Sequence, residues 1–390
     1  MTPTPTSTTA AQDAPDVTYY VLIGGSALAV LTSFVFFIIW IKKYRSLTKT
    51  IAELRRGRHS PLPALPPTVP QSFDDDSEAP LQRQSSEQAS GLPWKPPQHC
   101  GFSKEHVRLL QLIKAGKEGV FYKAKMTRGT CRGHSMVTCK IAKEGVSPKQ
   151  VEREVSVMKK LGYHKNILQL LGWNSTQEPY TLIMEFVQYG TLRSFLQTQR
   201  DKLSSDPELQ SLLTIASYHT ALAMEHLHSK MVVHGDLALR NVMVGQFPWE
   251  VRLTEFGLAR DMSSMRSRRS SRKKKHRERV PLRWYPPEYF RNNHYSFKGD
   301  VWAFGVLLWE MQTFGSVPYA SLATSDEVVY HICAGRKNAI PDSCRPEITQ
   351  ILHDCWLEPY TLRPAFTDIV RTLENVMEDD SDYVNVDNKS

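Results

Sequence analysis

His234-Gly235-Asp236-Leu237-Ala238-Leu239-Arg240-Asn241 follows the apolar run Met231-Val232-Val233 and sets a carboxylate, a cation and an amide within six residues. A group that can take a hydroxyl proton, a positive charge and an oxygen that can hold a metal are the parts phosphoryl transfer needs. Fourteen residues beyond Asn241, Glu255-Phe256-Gly257 offers a second oxygen ligand.

Working outward, Leu112 to Lys123 reads LIKAGKEGVFYK, with Gly116 and Gly119 where backbone must approach a ligand closely. Lys140 ends the apolar stretch Val137-Thr138-Cys139, and Glu154 lies in a helical pattern from Pro148 to Leu161. Leu182 to Val187 is a further apolar strand, and after it helical patterns dominate. Pro281-Leu282-Arg283-Trp284, Pro287-Glu288, Lys298-Gly299-Asp300 and Arg363-Pro364 follow in order. This succession resembles the receptor-like protein tyrosine kinases. Ala238 two residues past Asp236, Arg240 four past it, and Pro281 to Trp284 match the tyrosine-specific branch.

The resemblance implies an α+β, two-lobed protein kinase fold over residues 102–377, a small β-rich N-lobe before a larger helical C-lobe. It implies ATP and Mg2+ as cofactors, protein tyrosine as acceptor, and growth-promoting signalling. Asp236 takes the place of the general base, with Arg240 and Asn241 beside it, and Asn241 and Glu255 that of the metal ligands. Gly116, Gly119 and Phe121 match the phosphate loop, Lys140 the lysine on the α- and β-phosphates, and Glu154 its ion-pair partner. Met184 corresponds to the gatekeeper, and Glu185 to Val187 to the backbone facing adenine. Glu288 and Arg363 correspond to a buried ion pair, and Asp300 to a brace for the catalytic-loop backbone.

Three departures bear on activity. Lys114 stands where the first loop glycine is expected. Glu255 replaces an aspartate, displacing the carboxylate by about an ångström, and a misplacement of that size can cost about a hundredfold in rate. Gly235 replaces the arginine that grips an activation-loop phosphate, and Leu258 to Val280 contains no tyrosine. Two readings follow: a tyrosine kinase of low activity, or a silent pseudokinase scaffold that recruits adaptors.

The rest of the chain supplies context. Net charge is +9, concentrated in Lys42–Arg58 and Arg260–Arg279 without interleaved aromatics, which argues against nucleic acid. Within the second run, Arg266–Arg279 reads as a solvated mobile loop or as a patch for acidic groups. The six cysteines show no paired spacing and read as reduced thiols. Residues 1–19 read as a short disordered arm. Tyr20–Ile41 carries no charge and is long enough to span a bilayer as one helix. All nearby Lys and Arg follow it, which puts the N-terminus outside and the kinase-like region in the cytosol, at the plasma membrane or another cell membrane.

Gly25, Ala29 and Ser33 share a face of that helix, suited to homodimer packing or to plain lipid contact. Lys42–Arg58 reads as a contact with membrane lipids or a stop-transfer signal. Residues 42–101 form a basic, Pro/Ser-rich linker, and Pro63–Pro66 fits PxxP without a flanking cation. Residues 378–390 are an acidic tail expected to be disordered. There Tyr383-Val384-Asn385 matches a ligand of adaptor SH2 domains, a pattern that also arises by chance.

Overall fold

Five strands pair into an antiparallel sheet in the order β1-β2-β3-β5-β4, from Val107–Ala115 (β1), Gly119–Met126 (β2), Met136–Ala142 (β3), Leu170–Asn174 (β4) and Thr181–Glu185 (β5). The computed structural model describes residues 106–386 apart from 117, 128–129 and 264–279. Val137, Thr138, Cys139 and Lys140 of the central strand β3 are all buried, and Ala124, Ile183 and Leu171 pack with Val137 and Cys139. That burial excludes water from the place where Lys140 leaves the sheet.

Helix α1, Pro148–Leu161, starts with proline at a position where no amide is needed. The Ser147 amide donates to Gln150 Oε1 at 2.9 Å. The helix ends where Gly162 takes φ 66°. Val151, Val155, Met158 and Leu161 make its buried stripe, and Glu154 falls within that stripe. The helix period therefore aims the Glu154 carboxylate at the sheet.

The second lobe comprises helices α2 (Leu192–Ser205), α3 (Pro207–Ser229), α4 (Pro287–Asn292), α5 (Phe297–Gln312), α6 (Ser325–Cys333), α7 (Pro346–Cys355) and α8 (Phe366–Val386). Two short antiparallel pairs carry the loops of interest, β6 (Val232–Val233) with β9 (Arg260–Asp261) and β7 (Val242–Val244) with β8 (Val251–Leu253). Helix α5 is buried from Asp300 to Met311, Trp302 and Phe304 included, and forms the centre of this lobe.

The two-lobed α+β expectation is thus met. The expected strands fall in β2, β3 and β5, and the expected helix is α1. The five cysteines among the described residues form no disulfide. The arm, the Tyr20–Ile41 span, Lys42–Arg58, the linker to 101 and the stretch Arg266–Arg279 lie outside the described residues. Among those described, no helix is long and apolar enough to cross a membrane. One expectation is corrected: the acidic tail is not irregular directly after 377, because α8 continues to Val386 through Tyr383. No glycine or proline interrupts that stretch.

Arg363 holds the lobe's lower half to α4. Its guanidinium donates to both Glu288 oxygens at 2.6 and 2.9 Å, to the Leu357 carbonyl at 3.0 Å and to the Lys298 carbonyl at 2.9 Å, over the Trp302 ring. Both charges are buried, so removing one strands the other. Arg363→Ala is expected to lower stability by about 3–5 kcal/mol, read by chemical denaturation. Loss below about 1 kcal/mol would show that the pair is replaceable.

Candidate active site

Lys140 projects from β3 into a buried pair of carboxylates. Its ammonium donates to Glu154 Oε1 at 2.7 Å, Glu154 Oε2 at 2.9 Å and Glu255 Oε2 at 2.9 Å. Burial alone would strip the proton, but Glu154 and Glu255 outweigh it and hold the Lys140 pKa above the usual lysine value. Burial would likewise raise the Glu255 carboxyl, and the ammoniums of Lys140 and Lys114 instead hold it down at about 2. Glu255 sits at φ 70°, a left-handed backbone uncommon for a glutamate.

The second ammonium is that of Lys114, at the end of an irregular stretch of β1. Its Nζ lies 3.3 Å from Glu255 Oε1, 3.3 Å from Asn241 Oδ1 and 3.3 Å from the Arg240 carbonyl. The Phe121 ring is buried beside both cations, 4.6 Å from Lys114 Nζ and 5.3 Å from Lys140 Nζ. Gly116 is close enough to Glu255 that a Cβ there would stand 2.5 Å from Oε1. The glycine loop therefore lies on the carboxylate at 255, and Gly119 similarly abuts Lys140 and the Ile141 carbonyl.

Asn241 and Glu255 are the oxygens matched to a magnesium ligand set. Mg2+ needs near-octahedral oxygens at about 2.0–2.1 Å. Here the facing oxygens of both residues close on an ammonium at the longer distance suited to N–H donors, so the residues as arranged do not fit the metal.

The catalytic loop is fixed from beneath. Asp300 accepts the His234 amide at 2.8 Å and the Gly235 amide at 3.0 Å. His234 is buried with its pKa lowered by that burial. Its Nδ1 accepts the Asp236 amide at 3.1 Å and its Nε2 faces the Thr254 carbonyl at 3.2 Å, which selects the neutral Nε2–H tautomer. Asn241 Nδ2 donates to the Asp236 carbonyl at 2.7 Å. The partly exposed Asp236 carboxylate pairs with Arg240, whose guanidinium stacks on Trp284 at 4.2 Å. At the hinge, Met184 is buried in β5. The Glu185 amide is engaged with the Gln169 carbonyl and its carboxylate with the Gln169 amide and Arg252. Val187 is buried beyond it.

Two functional residues escaped the sequence reading. Glu310, buried in α5, accepts the Leu239 amide at 3.0 Å and the Trp284 Nε1–H at 2.9 Å on one oxygen, tying the loop at 234–241 to the segment Pro281–Trp284. A lone carboxylate in the otherwise apolar helix Val301–Met311 was its signal. Tyr295 fills the space at Gly235. Its hydroxyl donates to the Leu258 carbonyl at 3.1 Å, its ring lies 4.2 Å from the Arg260 guanidinium, and a Cβ on Gly235 (φ 73°) would run into it.

Comparison with known proteins agrees with this geometry. Residues 107–373 match the model of the protein tyrosine and serine/threonine kinases. Fibroblast growth factor receptor homolog 1 of Drosophila melanogaster is 32% identical over 287 residues, 69% of this chain and 38% of that protein. Tyrosine kinase receptor Cad96Ca of the same organism is 29% identical over 73% of this chain and 38% of its own length. Tyrosine-protein kinase Abl, also from Drosophila melanogaster, is 31% identical over 73% of this chain and 17% of its own length. The chain thus spans well under half of each of these relatives.

Two outcomes follow from the supports of the loop. Burial, opposed by the Leu239 and Trp284 hydrogen bonds, raises Glu310 from 4.5 to about 7. The unfolded chain ionises first as pH rises, so this residue's contribution is full below about 4.5 and is lost through about 7. The parent should therefore lose on the order of 3 kcal/mol relative to Glu310→Gln across that window. Parallel unfolding curves would refute it. Gly235→Arg, which restores the family's residue, is expected to destabilise by about 2 kcal/mol or more. An unchanged melting temperature would show that Tyr295 moves aside freely.

Proposed function

The chain belongs to the protein tyrosine and serine/threonine kinase family, its domain distantly related to receptor tyrosine kinases, and we propose from that premise that it transfers the ATP γ-phosphate to protein tyrosine at low rate. The observation that carries this is the convergence of Lys140, Glu154, Glu255, Asn241 and Asp236 on one cleft between sheet and catalytic loop.

Each of this chain's residues has a part to play in that transfer. Asp236, oriented through its amide by His234 and neutralised by Arg240, takes the proton of the tyrosine hydroxyl. The phenolic oxygen then bonds to the γ-phosphorus as the bond to the β–γ bridging oxygen breaks, and ADP leaves with that electron pair. Lys140 supplies positive charge to the phosphates. Its three N–H groups are already directed at Glu154 and Glu255, so it must release Glu255 to do so. That exchange supports the low rate.

The domain is proposed to lie in the cytosol below a single transmembrane helix, Tyr20–Ile41, with Lys42–Arg58 on lipid headgroups and Gly25, Ala29 and Ser33 as a dimer face. Tyr383, once phosphorylated, is proposed to recruit an SH2 adaptor in growth-promoting signalling. A second reading, a silent scaffold with the same tail, is favoured by Lys114 on the metal-ligand oxygens.

A transfer assay with the full chain and a tyrosine-containing protein substrate separates the two readings. Glu255→Asp shortens the carboxylate by about an ångström, loosens its hold on Lys114 and suits the left-handed backbone better, so transfer should rise about tenfold or more. Asp236→Asn should lower it by about a hundredfold or more. No transfer by the parent and none restored by Glu255→Asp would leave only the scaffold.

A further inference from the structure

The Lys114 ammonium faces three oxygens of three kinds: the Glu255 carboxylate, the Asn241 side-chain amide and the Arg240 main-chain carbonyl, each at 3.3 Å. An ammonium carries three N–H donors and no acceptor, so this environment satisfies it. Two of those oxygens belong to the residues that a nucleotide-bound cation would use. The Phe121 ring covers the same ammonium, so the charge sits against a π face rather than in open water. The side chain is 13% exposed, and the backbone that delivers it is the irregular end of β1 leading into the glycine loop. Lys114 and Lys140 balance Glu154 and Glu255, so this cluster is neutral without any added ion.

We infer that Lys114 is a tethered substitute for the divalent cation, making this chain's nucleotide binding indifferent to Mg2+. The inference rests on the kinase reading above, since it names how that same cleft meets phosphates. When a triphosphate enters, the ammonium is already between Asn241 and Glu255. It can turn one N–H from a protein oxygen to a phosphate oxygen without leaving the site. A lysine does this as a point charge with freely turning donors. Lys114 acts here as a specificity-determining residue, letting the cleft hold the nucleotide equally with or without its metal, and no bond is made or broken at it.

The test is a titration of the chain with a fluorescent ATP analogue, in EDTA and in millimolar Mg2+, for the parent, Lys114→Gln and Lys114→Arg. The parent is expected to bind with affinities equal within about twofold in the two conditions. Lys114→Gln should bind about tenfold or more tightly with Mg2+ than in EDTA, a difference of about 1.4 kcal/mol. Lys114→Arg, which keeps the charge, should stay indifferent. This conservative variant distinguishes a lost charge from a damaged fold, and thermal unfolding of all three accompanies the titration.

Tighter binding by the parent in Mg2+ by about tenfold would overturn the inference and leave the kinase reading standing. The same follows if only Lys114→Gln binds nucleotide, for then Lys114 blocks the site rather than serving it. Absence of binding by all three folded proteins in both conditions would overturn the inference and the kinase reading together.

Discussion

The contact on which everything else depends is the Lys140 ammonium among the Glu154 and Glu255 carboxylates. It joins strand β3, helix α1 and the segment after β8, three pieces of chain that no local propensity would bring together. A buried charge of this kind is costly unless every donor is met, and here each N–H has an oxygen within 2.9 Å. Pull α1 away and Lys140 is left with one partner in a water-poor site. The helix position and the charge state of the cleft are therefore one variable.

The catalytic loop obeys a different rule. Its charges do not hold its shape; buried acceptors on α5 do, Asp300 at one turn and Glu310 further along the same helix. This division leaves the Asp236 carboxylate partly exposed and paired with Arg240, while the backbone beneath stays fixed. Gly235 shows the same economy. Where a side chain would have to meet an activation-loop phosphate, Tyr295 reaches the Leu258 carbonyl directly. The start of that segment is also held by Lys160 on Asp261 at 2.6 Å. The early activation segment is thereby positioned by neutral and ionic contacts already in the chain, with no tyrosine available in it to phosphorylate.

Much of this was legible in the residues. Lys140 and Glu154 could be paired because the resemblance implies it, and a strand before one and a helix around the other are compatible with their meeting. Glu288 with Arg363, and Asp300 with the loop, were what the resemblance implied. What was not legible depended on tertiary distance. Lys114 stood out only as the residue in place of a loop glycine; its meeting with Asn241, 127 positions away, depends on the irregular end of β1 that turns it inward. Tyr295 is 60 residues from Gly235 in the chain, and nothing local marks its hydroxyl as the filler of a missing side chain. The continuation of α8 past the domain was missed for the opposite reason. Acidic composition suggested disorder, whereas a helix already nucleated by packing needs a breaker to stop.

The departures at 114 and 255 are best understood as one change. An aspartate at 255 would have a side chain one methylene shorter and would struggle to serve two ammoniums on opposite sides. The glutamate divides its oxygens, Oε2 to Lys140 and Oε1 to Lys114. Conversely, a glycine at 114 would leave Oε1 facing Asn241 Oδ1 and the Arg240 carbonyl, three acceptors with no donor among them, an arrangement that calls for a cation. Each residue thus supplies what the other makes necessary. Gly116 completes the fit, because any side chain there would lift the loop from Oε1. Taken singly, Lys114 and Glu255 look like damage to a phosphate site. Taken together they form a neutral, fully donated cluster, and its chemistry differs from that of the metal-dependent pattern the chain otherwise resembles.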